Sequence, residues 1–246
     1  MAENEPPPPD ATASDRYGPL VHRSVHHGAI LLLVAVVQFI LAMAITQLAW
    51  GPSYSLTQNY ISDLGAVSCG TFGGTSAVPG HYVCSPWHDV FNVSAVVLGL
   101  LLIFAVVLLR TAFPARRSRT IGLVLLALVG VGSIGVGLSP EDVNITVHSA
   151  SAFLAFASSG FALLVLGFAM FRDTRWDGFR GYSALSGLVV LVALVLFATK
   201  AYLGLGPGGM ERLIVAPVLL WGIVVGIHLV RIPTFAPRGL PKSSGA

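Results

Sequence analysis

Seven consecutive residues, Asn59-Tyr60-Ile61-Ser62-Asp63-Leu64-Gly65, bring a carboxamide, a hydroxyl and a carboxylate together between two long apolar stretches. If Gln58 to Leu64 winds into about two helical turns, Asn59, Ser62 and Asp63 share one face at spacings of three and four, and Tyr60 and Leu64 share the other. Thr57 would cap the start of such a turn, and Gly65 would take the left-handed position that ends it. A face of that kind can hold a polar ligand. Ser and Asp can equally well hydrogen-bond a tight re-entrant turn and do no more. Both readings are open at the level of sequence.

Two further polar blocks carry groups capable of chemistry. The first runs from Ser139 to His148 and contains Pro140-Glu141-Asp142 and Asn144. Adjacent residues of an extended stretch point to opposite sides, so one of Glu141 and Asp142 is expected to cap the following helix and the other to face a site. His148 opens that helix. It is either a hydrogen-bonded interface residue or a general base, oriented by Asp63 or by one of Glu141 and Asp142. A zinc-dependent version would recruit His81 or His88, but the sequence has no Gly-x-Ser-x-Gly elbow. The second block holds Lys200 and then Glu211-Arg212. Lys200 either snorkels to a surface or pairs with Asp63 or with the Glu141-Asp142 carboxylates. Arg212, expected in the first turn of a helix, opposes the helix dipole and calls for an acidic partner or an anionic headgroup; Glu211 suits the dipole. Asn92, at the start of the second apolar stretch, adds one more polar group.

The elements that must position these residues follow from composition. The chain is 54% hydrophobic and only 10% charged, where a soluble domain is about a quarter charged. Nearly charge-free runs at about 29–50, 90–109, 120–138, 148–171, 182–205 and 212–230 are each close to the ~20 residues a helix needs to cross a bilayer. In lipid such a run must satisfy its own backbone, which makes it a helix. The expected fold is an all-α integral membrane protein, a bundle of six transmembrane helices. The membrane domain spans 25–231, between a disordered tail at 1–24, with its Pro6-Pro7-Pro8-Pro9 run, and another at 232–246. Pro217 falls in the first turns of the last expected helix, where proline is tolerated. Gly130, Gly132, Gly135 and Gly137 in the third helix, and Ser151, Ala155 and Ser159 in the fourth, allow close helix approach.

Charge sets the orientation. All of the 14 Lys and Arg residues except Lys200 and Arg212 fall in the leader, the second–third loop, the fourth–fifth loop or the C-terminal tail. The positive-inside rule then places both termini in the cytoplasm and the odd-numbered loops outside a plasma membrane. Asp63, Asp89, Glu141, Asp142 and Glu211 all lie on the outer side. The formal charge of +3 therefore reflects topology and gives no support to nucleic-acid binding. Membrane lipids are the expected partners, and no motif calls for a cofactor. Cys69 and Cys84 share the first outer loop, where an oxidising setting favours a disulfide worth ~3 kcal/mol; their spacing is not that of a zinc site.

The set Asn59–Gly65, Ser85-Pro86, Phe91-Asn92, Pro140-Glu141-Asp142, His148 and Glu211-Arg212 resembles the uncharacterised prokaryotic membrane family DUF998 over about residues 25–231. It is more distantly similar to DRAM/Frag/Sfk-type membrane proteins, which share an Ile-Ser-Asp-x-Gly block and a histidine opening a later helix. The resemblance implies six helices, a bacterial membrane location and an outward polar site, and it assigns no reaction. The distant relatives imply a connection with lipid remodelling, lipid asymmetry and membrane trafficking. The leading expectation is a non-enzymatic pocket for a lipid headgroup or small polar ligand. Asn59, Ser62, Asp63, Asn92, Glu141, Asp142, His148 and Glu211 would form it, with Lys200 or Arg212 meeting a phosphate. The alternatives are an intramembrane hydrolase or lipid transferase built on His148, and a small-molecule transporter.

Overall fold

A computed structural model describes residues 11–50, 54–72, 80–171 and 173–231, with side chains from residue 23 onward. Its helices are α1 (Ala11–Trp50), α2 (His88–Leu108), α3 (Arg117–Leu138), α4 (Ile145–Ala169), α5 (Phe179–Ala198) and α6 (Gly206–Arg231). A two-stranded antiparallel hairpin, β1 (Gly70–Phe72) with β2 (His81–Val83), sits in the α1–α2 connection, with Gly70 opposite Val83 and Phe72 opposite His81. All six helices contain a stretch long and apolar enough to cross a membrane. That stretch begins in α1 at Arg23.

Several boundaries differ from expectation for identifiable reasons. α1 begins at Ala11, inside the stretch 1–24 expected to be a disordered tail; residues 1–10 and the expected tail 232–246 lie outside the described residues. α5 ends at Ala198 rather than near 205, and Lys200 and Leu203 follow it at positive φ. α6 starts six residues early, at Gly206, so Pro217 lies in the helix interior and Arg212 in the second turn.

Each helix packs against the next in sequence, and α6 returns to α1, closing a ring. Both ends of the described ring therefore lie at one end of the bundle, together with the α2–α3 and α4–α5 connections. Hydrogen bonds fix this end: Ser24 donates to the Leu108 carbonyl at 3.1 Å and His228 to the Arg175 carbonyl at 3.0 Å. We call it the basic end, after its arginines, and the opposite end, with Asp63, Glu141 and Glu211, the acidic end. The small residues of α3 and α4 meet as expected: a Cβ on Gly132 or Gly135 would lie under 3 Å from atoms of Ser151 or Ala155. Outward-facing Leu41, Leu48, Phe104, Phe153 and Phe168 are exposed around the ring. A belt of that kind is a liability in water and suits a hydrocarbon environment.

The α1–α2 connection turns back into the mouth of the ring. Ile61 and Leu64 are buried and join the apolar core, and a short 3₁₀ turn at Ser62–Gly65 replaces the expected two-turn helix over 58–64. The expected left-handed Gly65 is not seen. Glycine is needed there for a different reason, since a Cβ would sit 2.3 Å from Asn92 Oδ1.

Candidate functional site

Asp63 is the anchor of the re-entrant segment. It has no solvent exposure and so must be satisfied by the protein. It accepts from Asn59 Nδ2 at 2.9 Å, from the Tyr60 N–H at 3.0 Å and from His81 Nε2 at 3.0 Å. The last donor comes from strand β2, so the hairpin lies over the carboxylate. The Cys69–Cys84 disulfide closes the base of that hairpin, which ties the position of His81 to a covalent crosslink.

Beside Asp63 stands Glu141. Ser62 donates its hydroxyl to Glu141 Oε2 at 2.7 Å. Burial, then a hydrogen bond with Asp63 and the negative charge of that carboxylate, push the Glu141 carboxyl up to about 9. At neutral pH it is a neutral acid that can donate a hydrogen bond. Its neighbour Asp142 accepts from the Val67 and Ser68 N–H groups at 3.1 and 2.7 Å. Both side chains thus reach the α1–α2 connection, because residues 140–144 form a turn rather than an extended strand. Neither caps α4; Asn144 does, accepting from the Val147 N–H at 3.1 Å.

Glu211 on α6 is 5% exposed and takes the Ile61 N–H. Its sequence neighbour turns elsewhere. The Arg212 guanidinium donates to the carbonyls of Leu56, Asn59 and Gly208 at 2.9–3.0 Å and to the Tyr54 hydroxyl. Within the protein, the partners of Arg212 are thus backbone carbonyls and a tyrosine hydroxyl rather than an acidic side chain. Close approach makes this possible: a Cβ on Gly208 would fall 2.0 Å from the Asn59 carbonyl oxygen. Asn59 and Asn92 are likewise committed, Asn59 to Asp63 and the Ser55 N–H, and Asn92 to the Gly65 carbonyl at 2.8 Å. Lys200 is exposed beyond the end of α5, and among the described residues no carboxylate pairs with it.

His148 is 6% exposed and donates from Nδ1 to the Ser139 carbonyl at 2.9 Å. A carbonyl, rather than the expected Asp63, Glu141 or Asp142, orients the ring. An imidazole that donates from Nδ1 presents Nε2 as an acceptor. His81 and His88 do not join it: His81 bonds Asp63, and His88 bonds the Ser85 carbonyl at 3.0 Å.

Two cavities meet at this polar wall, and both are lined by Ser62, His148, Ala152, Phe156 and Glu211. One, about 470 Å³, lies between α4 and α5 and adds Tyr60, Glu141, Phe153 and Phe197. The other, about 100 Å³, runs into the interior of the ring among apolar side chains such as Phe39, Phe91, Leu98 and Val218. α4 and α5 are held together farther toward the basic end, where a Cβ on Gly187 would lie 2.6 Å from the Gly160 carbonyl oxygen. Nearer the acidic end the larger cavity separates them.

Of the residues singled out from sequence, Ser62, Glu141, His148 and Glu211 line the cavities. Asn59 and Asp63 stand behind the wall, while Asn92, Asp142 and Arg212 fasten the re-entrant segment. The role of His81 was not legible, because it depends on how the hairpin folds over Asp63. The same is true of the aromatic lining from Phe153, Phe156 and Phe197, whose spacing reads as ordinary membrane-helix packing.

A protein family described as "Protein of unknown function (DUF998)" matches residues 33–228. No curated protein and no solved structure matches the chain. The matched span runs from the first turns after Arg23 to the end of α6 and includes every residue of the polar wall. The chain belongs to the DUF998 family.

Proposed function

We propose that this DUF998 protein spans the cell membrane six times, with both termini in the cytoplasm, and binds the polar head of a membrane amphiphile at its outward, acidic end. The arginines gathered at the basic end support the orientation through the positive-inside rule. One observation carries the binding reading: a polar wall of Ser62, Glu141, His148 and Glu211 is continuous with an apolar chamber inside the ring. At about 470 Å³ the outer cavity falls in the ~300–1,000 Å³ range of small-molecule sites. A ligand with one polar and one apolar end matches that division.

A hydrolytic reading has one observation in its favour, the Nε2 of His148 facing the cavity beside Ser62. However, the Ser62 hydroxyl gives its proton to Glu141 rather than to His148, so no activated nucleophile is assembled. The geometry favours binding over turnover.

Photolabelling tests the reading. The protein in lipid nanodiscs would be irradiated with a lipid analogue carrying a diazirine in its chain, and the labelled peptides mapped. Labelling of Ala152 and Phe156 on α4 and of Phe197 on α5 is expected. Labelling confined to the outer belt around Leu48 and Phe104 would mean that the cavity holds no lipid.

A further inference from the structure

The hydrogen-bonding character of the polar wall restricts what its ligand can be, and this inference rests on the binding reading above. Among the described residues, the ionisable side chains facing the larger cavity are Tyr60, Glu141, His148 and Glu211, and no Lys or Arg lines it. Arg212, the nearest cation in sequence, spends its guanidinium on carbonyls of the re-entrant segment, and Lys200 lies beyond α5. A phosphate or carboxylate head would therefore meet carboxyl groups with no cation to balance it.

Acceptors facing the cavity point the same way. His148 donates from Nδ1 to Ser139, which leaves the Nε2 lone pair toward the cavity, and among the described residues no donor meets it. Glu211, buried to the same degree, takes the Ile61 N–H, and among the described residues no side chain donates to it. Both groups can accept a further hydrogen bond, which a ligand carrying N–H donors would supply. Aromatic rings line the cavity: Phe156 and Phe197, with the outward-facing Phe153 at its rim, and the Tyr60 and Phe197 rings lie 5.9 Å apart. Ring faces attract ammonium cations and have no comparable affinity for anions.

We propose that this site takes a single-chain amphiphile with an ammonium head, which enters between α4 and α5. The three N–H donors of a primary ammonium would reach the Glu211 carboxylate, His148 Nε2 and the Ser62–Glu141 pair. The chain extends along the apolar side chains of α4 and into the ring. At about 100 Å³, against about 470 Å³ for the outer cavity, the inner chamber is suited to the narrow end of a chain.

Competition against the photolabel in zwitterionic nanodiscs separates the head chemistries. n-Dodecylamine, n-dodecanol and n-dodecyl phosphate would be compared at equal mole fraction in the bilayer. The amine is expected to displace the label at least about tenfold more effectively than the alcohol, with the phosphate weakest. In Glu211→Gln the preference for amine over alcohol should fall about tenfold, with the thermal unfolding midpoint followed alongside to report an intact fold. Phosphate displacing best, or an amine preference unchanged in both Glu211→Gln and Glu141→Gln, would overturn the ammonium assignment and leave the binding reading standing. Failure of all three probes to displace label from Phe156 would overturn the binding reading itself.

Discussion

Replacing Glu141 with Gln should flatten the pH dependence of unfolding, because the structure holds that carboxyl as a neutral acid. In the folded protein it keeps its proton up to about 9, whereas in the unfolded chain it releases it near the ordinary 4.5. Between those values the unfolded state binds fewer protons than the folded state, so stability falls as pH rises. The contribution is fully present below the unfolded value and is lost as pH passes through the folded one. One proton corresponds to a slope of about 1.4 kcal/mol per pH unit, which accumulates to on the order of 3 kcal/mol by neutral pH. Gln has no proton to lose, yet its carbonyl can still accept from Ser62 and its amide can still donate to Asp63. The assay is unfolding of wild type and Glu141→Gln in detergent micelles, followed by tryptophan fluorescence from about pH 5 to about pH 8. The wild type should lose stability steadily relative to the variant across that range. Parallel pH profiles would mean that Glu141 is already ionised in the folded state, and the neutral-acid assignment would be refuted.

Three other substitutions probe how the re-entrant segment is fastened. Reducing the Cys69–Cys84 bond, or replacing both residues with Ser, should lower stability by ~3 kcal/mol through the freed loop; an unchanged thermal midpoint would show that the hairpin stays in place without the crosslink. Gly208→Ala would put a Cβ 2.0 Å from the Asn59 carbonyl oxygen, and an overpacking cost of ~1–3 kcal/mol should appear in chemical unfolding; a neutral result would contradict the close contact of α6 with this segment. Arg212→Lys keeps the charge but not the fork that serves three carbonyls and Tyr54. It should destabilise nearly as much as Arg212→Ala, by ~2–3 kcal/mol, and full rescue by Lys would show that charge alone matters at this position.

The six helices were legible because a charge-free run in lipid has one backbone solution. The connection between α1 and α2 was not. Its polar residues read as a helical face, but Asp63 draws donors from the Tyr60 backbone and from His81, and the resulting turn is held by long-range bonds that no local pattern encodes. Glu211 was legible as a candidate, but its burial was not. Its place near a helix start explains its charge and hides its burial, which becomes visible only when Ile61 is brought to it across the fold. Arg212 was correctly seen to need a partner, yet the partner proved to be carbonyl oxygens, whose positions depend on the re-entrant turn. Asn144, rather than Glu141 or Asp142, caps α4 because a turn at Pro140 rotates both acids toward the α1–α2 connection. Composition and charge patterning thus gathered the candidate polar residues at one end of the bundle. Which side chains face the cavity is decided by tertiary contacts.

The most direct measurement is an experimental structure of the protein in lipid nanodiscs supplied with a long-chain primary amine. A single chain lying between α4 and α5, with its head within hydrogen-bond distance of Glu211 and His148, is the predicted result. An empty or water-filled cavity, or a head placed instead at Lys200 or Arg212, would contradict the account.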